Sequence, residues 1–151
     1  PVLHLWEAGL LDLLPGLADV SIPPAVQSEM GHLIADWLAP PWLSARAPTE
    51  FATQALAWVD AGVIDRGEAE AIALALELGA GWFLTDDNAA RLLGISVGLE
   101  VHGSVAVVLE AARVRLLDLQ QAHDALDRLA GTSLWVSPPV LRTAAEPFAD
   151  L

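Results

Sequence analysis

The run Trp82-Phe83-Leu84-Thr85 is apolar, only four residues long, and is cut off by Asp86-Asp87. A strand this short and this apolar belongs in a parallel sheet covered by helices on both faces. Its abrupt polar end marks the carboxyl end of the strand, where open α/β sheets place their ligands. The rest of the chain fits that frame. Apolar residues at helical spacing predict helices over residues 3–14, with Leu3, Trp6, Leu10, Leu13 and Leu14 on one face and Pro15-Gly16 closing it. A second helix starts at Pro23-Pro24, carries Val26, Met30, Leu33, Ile34 and Trp37 on one face, and ends at Pro40-Pro41. Further helices are predicted over 49–60, 67–78, 89–93, 104–114, 118–129 and around 139–145, with short strands at 20–22, 42–45, 82–85, 99–101 and 134–136. Helices alternating with short strands predict an α/β fold with a mostly parallel sheet. No repeat or linker interrupts the 151 residues, and 54 % apolar content supplies a core, so one domain is expected.

Composition excludes several classes of chemistry. The chain has no cysteine, so disulfides and thiolate metal sites are ruled out, and any metal must sit on oxygen or imidazole. Seven Arg, no Lys and twenty acids give a formal charge of −13. That surface repels nucleic acid, whose sequence-independent affinity comes from basic side chains on phosphates, and attracts a basic partner instead. No apolar run approaches the roughly 18 residues of a membrane span, and no secretory signal opens the chain, so a soluble cytoplasmic protein is expected. The chain starts at Pro1 without an initiator Met, which suggests an N-terminally incomplete domain.

Three places put carboxylates where a packed α/β domain does not need them. Glu68 falls in the middle of the apolar arc formed by Ala69, Ile72, Ala75 and Leu76, while Glu70 and Glu77 share the opposite face. A buried carboxylate costs several kcal/mol unless it is paired, hydrogen-bonded or metal-bound. The bland alternative is an acid in the first helical turn, favoured by the dipole and still in reach of water. Glu29 stands at the border of its helix's apolar stripe, where a solvated head is the plain reading. Asp86 and Asp87 follow a strand end, and N-capping accounts for one of them. Adjacent acids repel, so a second one is best tolerated beside a cation or water. Together these oxygen donors suit a hard ion such as Mg²⁺ or Mn²⁺, and such an ion supports phosphodiester hydrolysis.

The residues then align with a known pattern. Gly67-Glu68-Ala69-Glu70-Ala71-Ile72-Ala73-Leu74-Ala75, continuing to Ala80, is followed by Leu84-Thr85-Asp86-Asp87 with Ala90-Arg91 and by Val101-His102-Gly103-Ser104. With the opening residues 1–5 and 9–14 and Ile22-Pro23-Pro24-Ala25-Val26 plus Glu29, this resembles a PIN-domain branch similar to the VapC toxins of toxin-antitoxin pairs, over essentially the whole chain. The resemblance implies a three-layer PIN-like fold, with helices around a central parallel sheet and four acids meeting at the strand ends to bind Mg²⁺ or Mn²⁺. It places three of them on Glu29, Glu68 and Asp87, with Asp86 alongside and Thr85 as the small hydroxyl residue. The family's first strand and its terminal Asp would precede Pro1. The activity implied is RNA cleavage, the partners an RNA substrate, an antitoxin and a second copy of the chain. The alternative is an inactive PIN-like module that only binds protein.

Lesser candidates complete the set. Arg91, four residues after Asp87, is a candidate ligand for a substrate phosphate or a partner carboxylate, against local pairing with Asp. His102 reads as packed and Ser104 as the cap of the next helix. The six tryptophans read as core and dimer contacts. A receiver domain's lysine and a P-loop's Gly-x-x-x-x-Gly-Lys are both absent, as is the glycine-rich turn of a dinucleotide fold.

Overall fold

The structure, a computed structural model, describes residues 1–134 together with 140, 143 and 144. In chain order its elements are α1 (Val2–Glu7), a 3-10 turn (Leu11–Gly16), β1 (Val20–Ile22), α2 (Pro24–Leu33), β2 (Leu43–Ala45), α3 (Ala52–Asp60), α4 (Arg66–Leu78), β3 (Phe83–Leu84), α5 (Asn88–Ser96), β4 (Val101–His102), α6 (Ser104–Arg113) and α7 (Leu119–Ala130). The expected strand at 134–136 and helix around 139–145 fall largely outside the described residues. Among the described residues no helix is long and apolar enough to cross a membrane. The chain divides into two compact units, Asp19–His102 and the pair of segments Pro1–Ala18 and Gly103–Leu151.

In the unit Asp19–His102 the strands are parallel, as expected, but they form two separate pairs rather than one central sheet. β1 pairs with β2, matching Val20 to Leu43 and Ile22 to Ala45, and β3 pairs with β4, matching Phe83 to Val101 and Leu84 to His102. Strands of two or three residues make few ladder bonds, so helices must hold them. For β3 this is done by α4. Its Ala69, Ile72 and Ala73 are fully buried and share a core with Ala55, Ile64, Phe83 and Ala90. The small residues let neighbours approach closely, while Ile72 supplies bulk that an Ala substitution would remove at about 2–5 kcal/mol. Gly94 of α5 shows how close the approach is. A Cβ there would lie 3.0 Å from Val101 Cγ2 and 3.1 Å from Phe83 Cδ1.

α2 is shorter than its apolar stripe. It ends at Leu33, Ile34 turns extended, and Asp36 takes the left-handed region at φ 60° that an Asp tolerates. This swings Ile34 into the core beside buried Met30 and leaves Leu33 55 % exposed, although the helical pattern placed it inside. Glu77, on the face opposite the apolar arc, has a structural role. Its carboxylate accepts from Thr49 N–H (2.7 Å), Thr49 Oγ1 (2.8 Å) and Glu50 N–H (3.0 Å), and so ties the segment leading into α3 to α4. These bonds, led by the Thr49 N–H, hold the Glu77 pKa below its ordinary value of 4.5. Its contribution is therefore complete above that value and lost as pH falls through the lowered one.

In the other unit, the helix expected over 3–14 is broken. Gly9, at φ 66°, closes α1 with Gly9 N–H bonded to the Trp6 carbonyl (2.9 Å) and Leu10 N–H to the Leu5 carbonyl (2.7 Å). That is a Schellman end, and a left-handed glycine is its usual residue. The chain resumes as the 3-10 turn. After α6 the same reversal is made by Arg115 at φ 64°, with Arg115 N–H on the Ala112 carbonyl and Leu116 N–H on the Ala111 carbonyl. A side chain there costs roughly 1 kcal/mol against glycine. α6 and α7 pack through Val107, Val108 and Ala111 against Ala122, Ala125 and Leu129, all fully buried. Asp118 caps α7. The N-cap of α6 is Gly103, not Ser104, because Ser104 is already helical and fully buried. Of the five described tryptophans none is buried, and Trp6 is exposed, so they contribute less to the core than expected.

Candidate metal centre

The start of α4 carries the first acid. Asp65 is its N-cap, and Glu68, three residues on, turns Oε2 back to the Asp65 N–H at 3.2 Å. The first-turn reading of Glu68 is therefore correct as far as local structure goes. It does not account for the whole residue, because Glu68 is half-buried. Burial first, then the charge of Asp87, and then those of Asp65 and Glu29 push its pKa above the ordinary value, against the pull of the Asp65 N–H. Asp65 was not singled out by sequence, although the Asp-x-x-Glu spacing of a capping box announces it.

Glu29 reaches the same place from α2. It is exposed, and its Oε2 stands 3.4 Å from where a Gly67 Cβ would be, with Val26 Cγ2 at 3.5 Å. Gly67 thus leaves room for the α2 carboxylate against the first turn of α4. Asp87 arrives from the end of β3. It is the N-cap of α5, its Oδ1 accepting from Ala90 N–H at 2.8 Å, so the plain capping role holds for it too. Thr85 is buried, with 4 % of its surface exposed, and its Oγ1 accepts from the Asp87 N–H at 3.1 Å. Asp86 is half-buried and engaged in a contact of its own, and it is not among the charges acting on Glu68.

Of the expected acids the structure therefore sets Asp87 and Glu29 within electrostatic range of Glu68, and it adds Asp65. Among the described residues, Glu29, Glu68 and Asp87 make no ion pair. Nor, among these residues, do three acids or histidines converge closely enough to form a ready metal cage. The donor set still fits a hard divalent ion in its chemistry, being all oxygen and lacking a counter-charge. A cation arriving here would relieve the repulsion that Glu68 records.

Arg91 has other partners than those expected. Its Nη2 donates to the Thr85 carbonyl (3.2 Å) and its Nη1 to the Val101 carbonyl (3.4 Å). His102 is packed, as read, with its ring stacked on Trp82 at 3.9 Å and its Nε2 2.8 Å from Glu100 Oε1.

Parallel strand pairs with helices packed on them define an α/β domain. The model of the DUF3368 family, described as a PIN domain, matches residues 1–148, and the chain belongs to the PIN-domain family. No curated protein and no solved structure matches it.

Proposed function

We propose that this chain is a metal-dependent endoribonuclease, the toxin of a toxin-antitoxin pair, acting in the cytoplasm on RNA phosphodiesters. The carrying observation is the half-buried Glu68 with the charges of Asp87 and Glu29 acting on it and no basic partner, in a chain that matches the PIN-domain family over residues 1–148. In this reading Glu29, Glu68 and Asp87, with Asp86 alongside, hold Mg²⁺ or Mn²⁺. The ion, when bound, supplies a water of lowered pKa and positive charge for the scissile phosphate. Glu68 presents one oxygen while the other is tied to the Asp65 N–H, and Asp87 presents Oδ2 while Oδ1 caps α5. An antitoxin and a second copy of the chain are the protein partners that go with this reading, and a basic antitoxin suits the charge of −13.

A non-catalytic interaction module is the second reading. It is favoured by the absence, among the described residues, of a ready cage and by a net charge that repels RNA. Calorimetric titration with Mn²⁺, followed by cleavage of a labelled RNA, separates the two. Binding that Glu68→Ala and Asp87→Ala each weaken, with cleavage dependent on the ion, supports the nuclease. No Mn²⁺ binding sinks it and leaves the interaction module.

A further inference from the structure

Resting on the metal-site reading, we propose that Arg91 is a positioning residue, which bolts the turn between β3 and α5 to both strands so that Asp87 faces Glu68. It is not a ligand for the substrate phosphate.

β3 is weak by itself. A two-residue strand cannot by its own ladder hold the turn that follows it, and that turn carries the acids. The Thr85 N–H reaches the His102 carbonyl at 2.8 Å, which secures one side. The Thr85 carbonyl then needs a donor, because the residue is buried and an unpaired backbone oxygen there is costly. Arg91 supplies it. From the first turn of α5 the planar guanidinium spans the Thr85 carbonyl on one strand end and the Val101 carbonyl on the other. Two donors in fixed relation define an orientation as well as a distance, which a flexible ammonium would not. Inside this bracket the Thr85 hydroxyl takes the Asp87 N–H, and Asp87 Oδ1 takes the Ala90 N–H. The Arg91 N–H itself bonds the Asp87 carbonyl at 3.0 Å, so the residue being placed and the residue placing it are one helical turn apart. The closed set Arg91, Thr85, Asp87 and Ala90 fixes the Asp87 carboxylate.

Three variants test this: Arg91→Gln, Arg91→Lys and Thr85→Val. The readouts are amide hydrogen exchange at Asp87 and Ala90, Mn²⁺ titration by calorimetry, and binding of an RNA oligonucleotide in EDTA. Both Arg91 variants are expected to speed exchange at these two amides about tenfold, with amides of α3 and α7 unchanged. They are expected to weaken Mn²⁺ on the order of tenfold, the low end for outer partners of metal ligands. Arg91→Lys, which keeps the charge, leaves metal-free RNA binding at the wild-type level. Weakened RNA binding by Arg91→Lys with exchange and Mn²⁺ unaltered overturns the proposal in favour of a phosphate ligand. So does full rescue of Mn²⁺ affinity by lysine, which would make charge alone sufficient. If the Arg91 variants do not fold, Thr85→Val decides. It removes only the hydroxyl, and faster Asp87 exchange with weaker Mn²⁺ supports the bracket, while no change in either refutes it. If the wild-type chain binds no Mn²⁺, the metal reading has failed. The bracket is then judged by exchange alone, where local acceleration upholds it and none overturns it.

Discussion

α4 and α7 open with the same device and use it differently. Each has an Asp N-cap and an N3 side chain that turns back to the cap's own N–H, Asp65 with Glu68 and Asp118 with Gln121. In α7 the box is closed on both sides at 2.8 Å, with a neutral amide as the returning group. In α4 it is looser, with Glu68 at 3.2 Å and the Asp65 side chain short of a full cap hydrogen bond. Capping needs only an acceptor at N3, and glutamine supplies one without charge. A glutamate kept half-buried among three other carboxylates is therefore the worse cap of the two. The difference shows that local helix stability does not explain the choice at position 68.

The sharpest way to break this comparison is Glu68→Gln, which gives α4 the α7 arrangement. Mn²⁺ affinity measured by calorimetry should fall on the order of 10- to 100-fold, since the charge is gone while the hydrogen bond stays. Urea unfolding followed by tryptophan fluorescence should show the metal-free variant more stable than wild type at neutral pH. The raised Glu68 pKa means that its favourable contribution is complete below 4.5 and lost as pH rises through the folded value. In the variant, that decline between acid and neutral pH should disappear, and an unchanged pH profile would refute the electrostatic account. Asp118→Ala comes next. It removes a closed cap and should cost about 1 kcal/mol in the same unfolding experiment, without altering Mn²⁺ binding. The smallest effect is expected from Gln121→Glu, which gives α7 the α4 chemistry without the neighbouring cluster. A stability change under about 0.5 kcal/mol is anticipated, and a loss comparable to that of Asp118→Ala would mean that the glutamate itself, and not its surroundings, loosens the α4 box.

How far the sequence could be read depends on element length. α4 was legible to within a residue because thirteen positions give its apolar arc several repeats, and α7 likewise. The first three strands were located and the fourth was placed two residues early, but two or three residues carry no period, so their division into two pairs was not visible. The first helix was overextended because leucines on both sides of Gly9 keep helical spacing while the backbone reverses between them. Glu68 was singled out by its place in an apolar arc, Glu29 by the border of its helix's stripe and Asp86-Asp87 by the strand end, and the resemblance to PIN domains pointed to the same acids. Partners far apart in sequence were the harder part. Glu77 holding Thr49 across 28 residues and Arg91 turned onto backbone carbonyls follow from packing, and no local pattern encodes them.

Gly94 makes the acidic site hostage to a packing distance. α5 is nine residues, roughly 13 Å long at 1.5 Å per residue, and it rests on β3 and β4 at the one position where it has no side chain. The same helix has Asp87 as its N-cap, so the height at which Gly94, Ala90 and Leu93 seat it also sets where Asp87 stands. A methyl group there would have to displace Val101 and Phe83 or lift the helix, and lifting it would swing the carboxylate without touching any acid. Substitutions in the apolar layer under α5 would then move the Asp87 carboxylate as surely as changes next to it, and positions sensitive to substitution would spread well beyond the acids themselves.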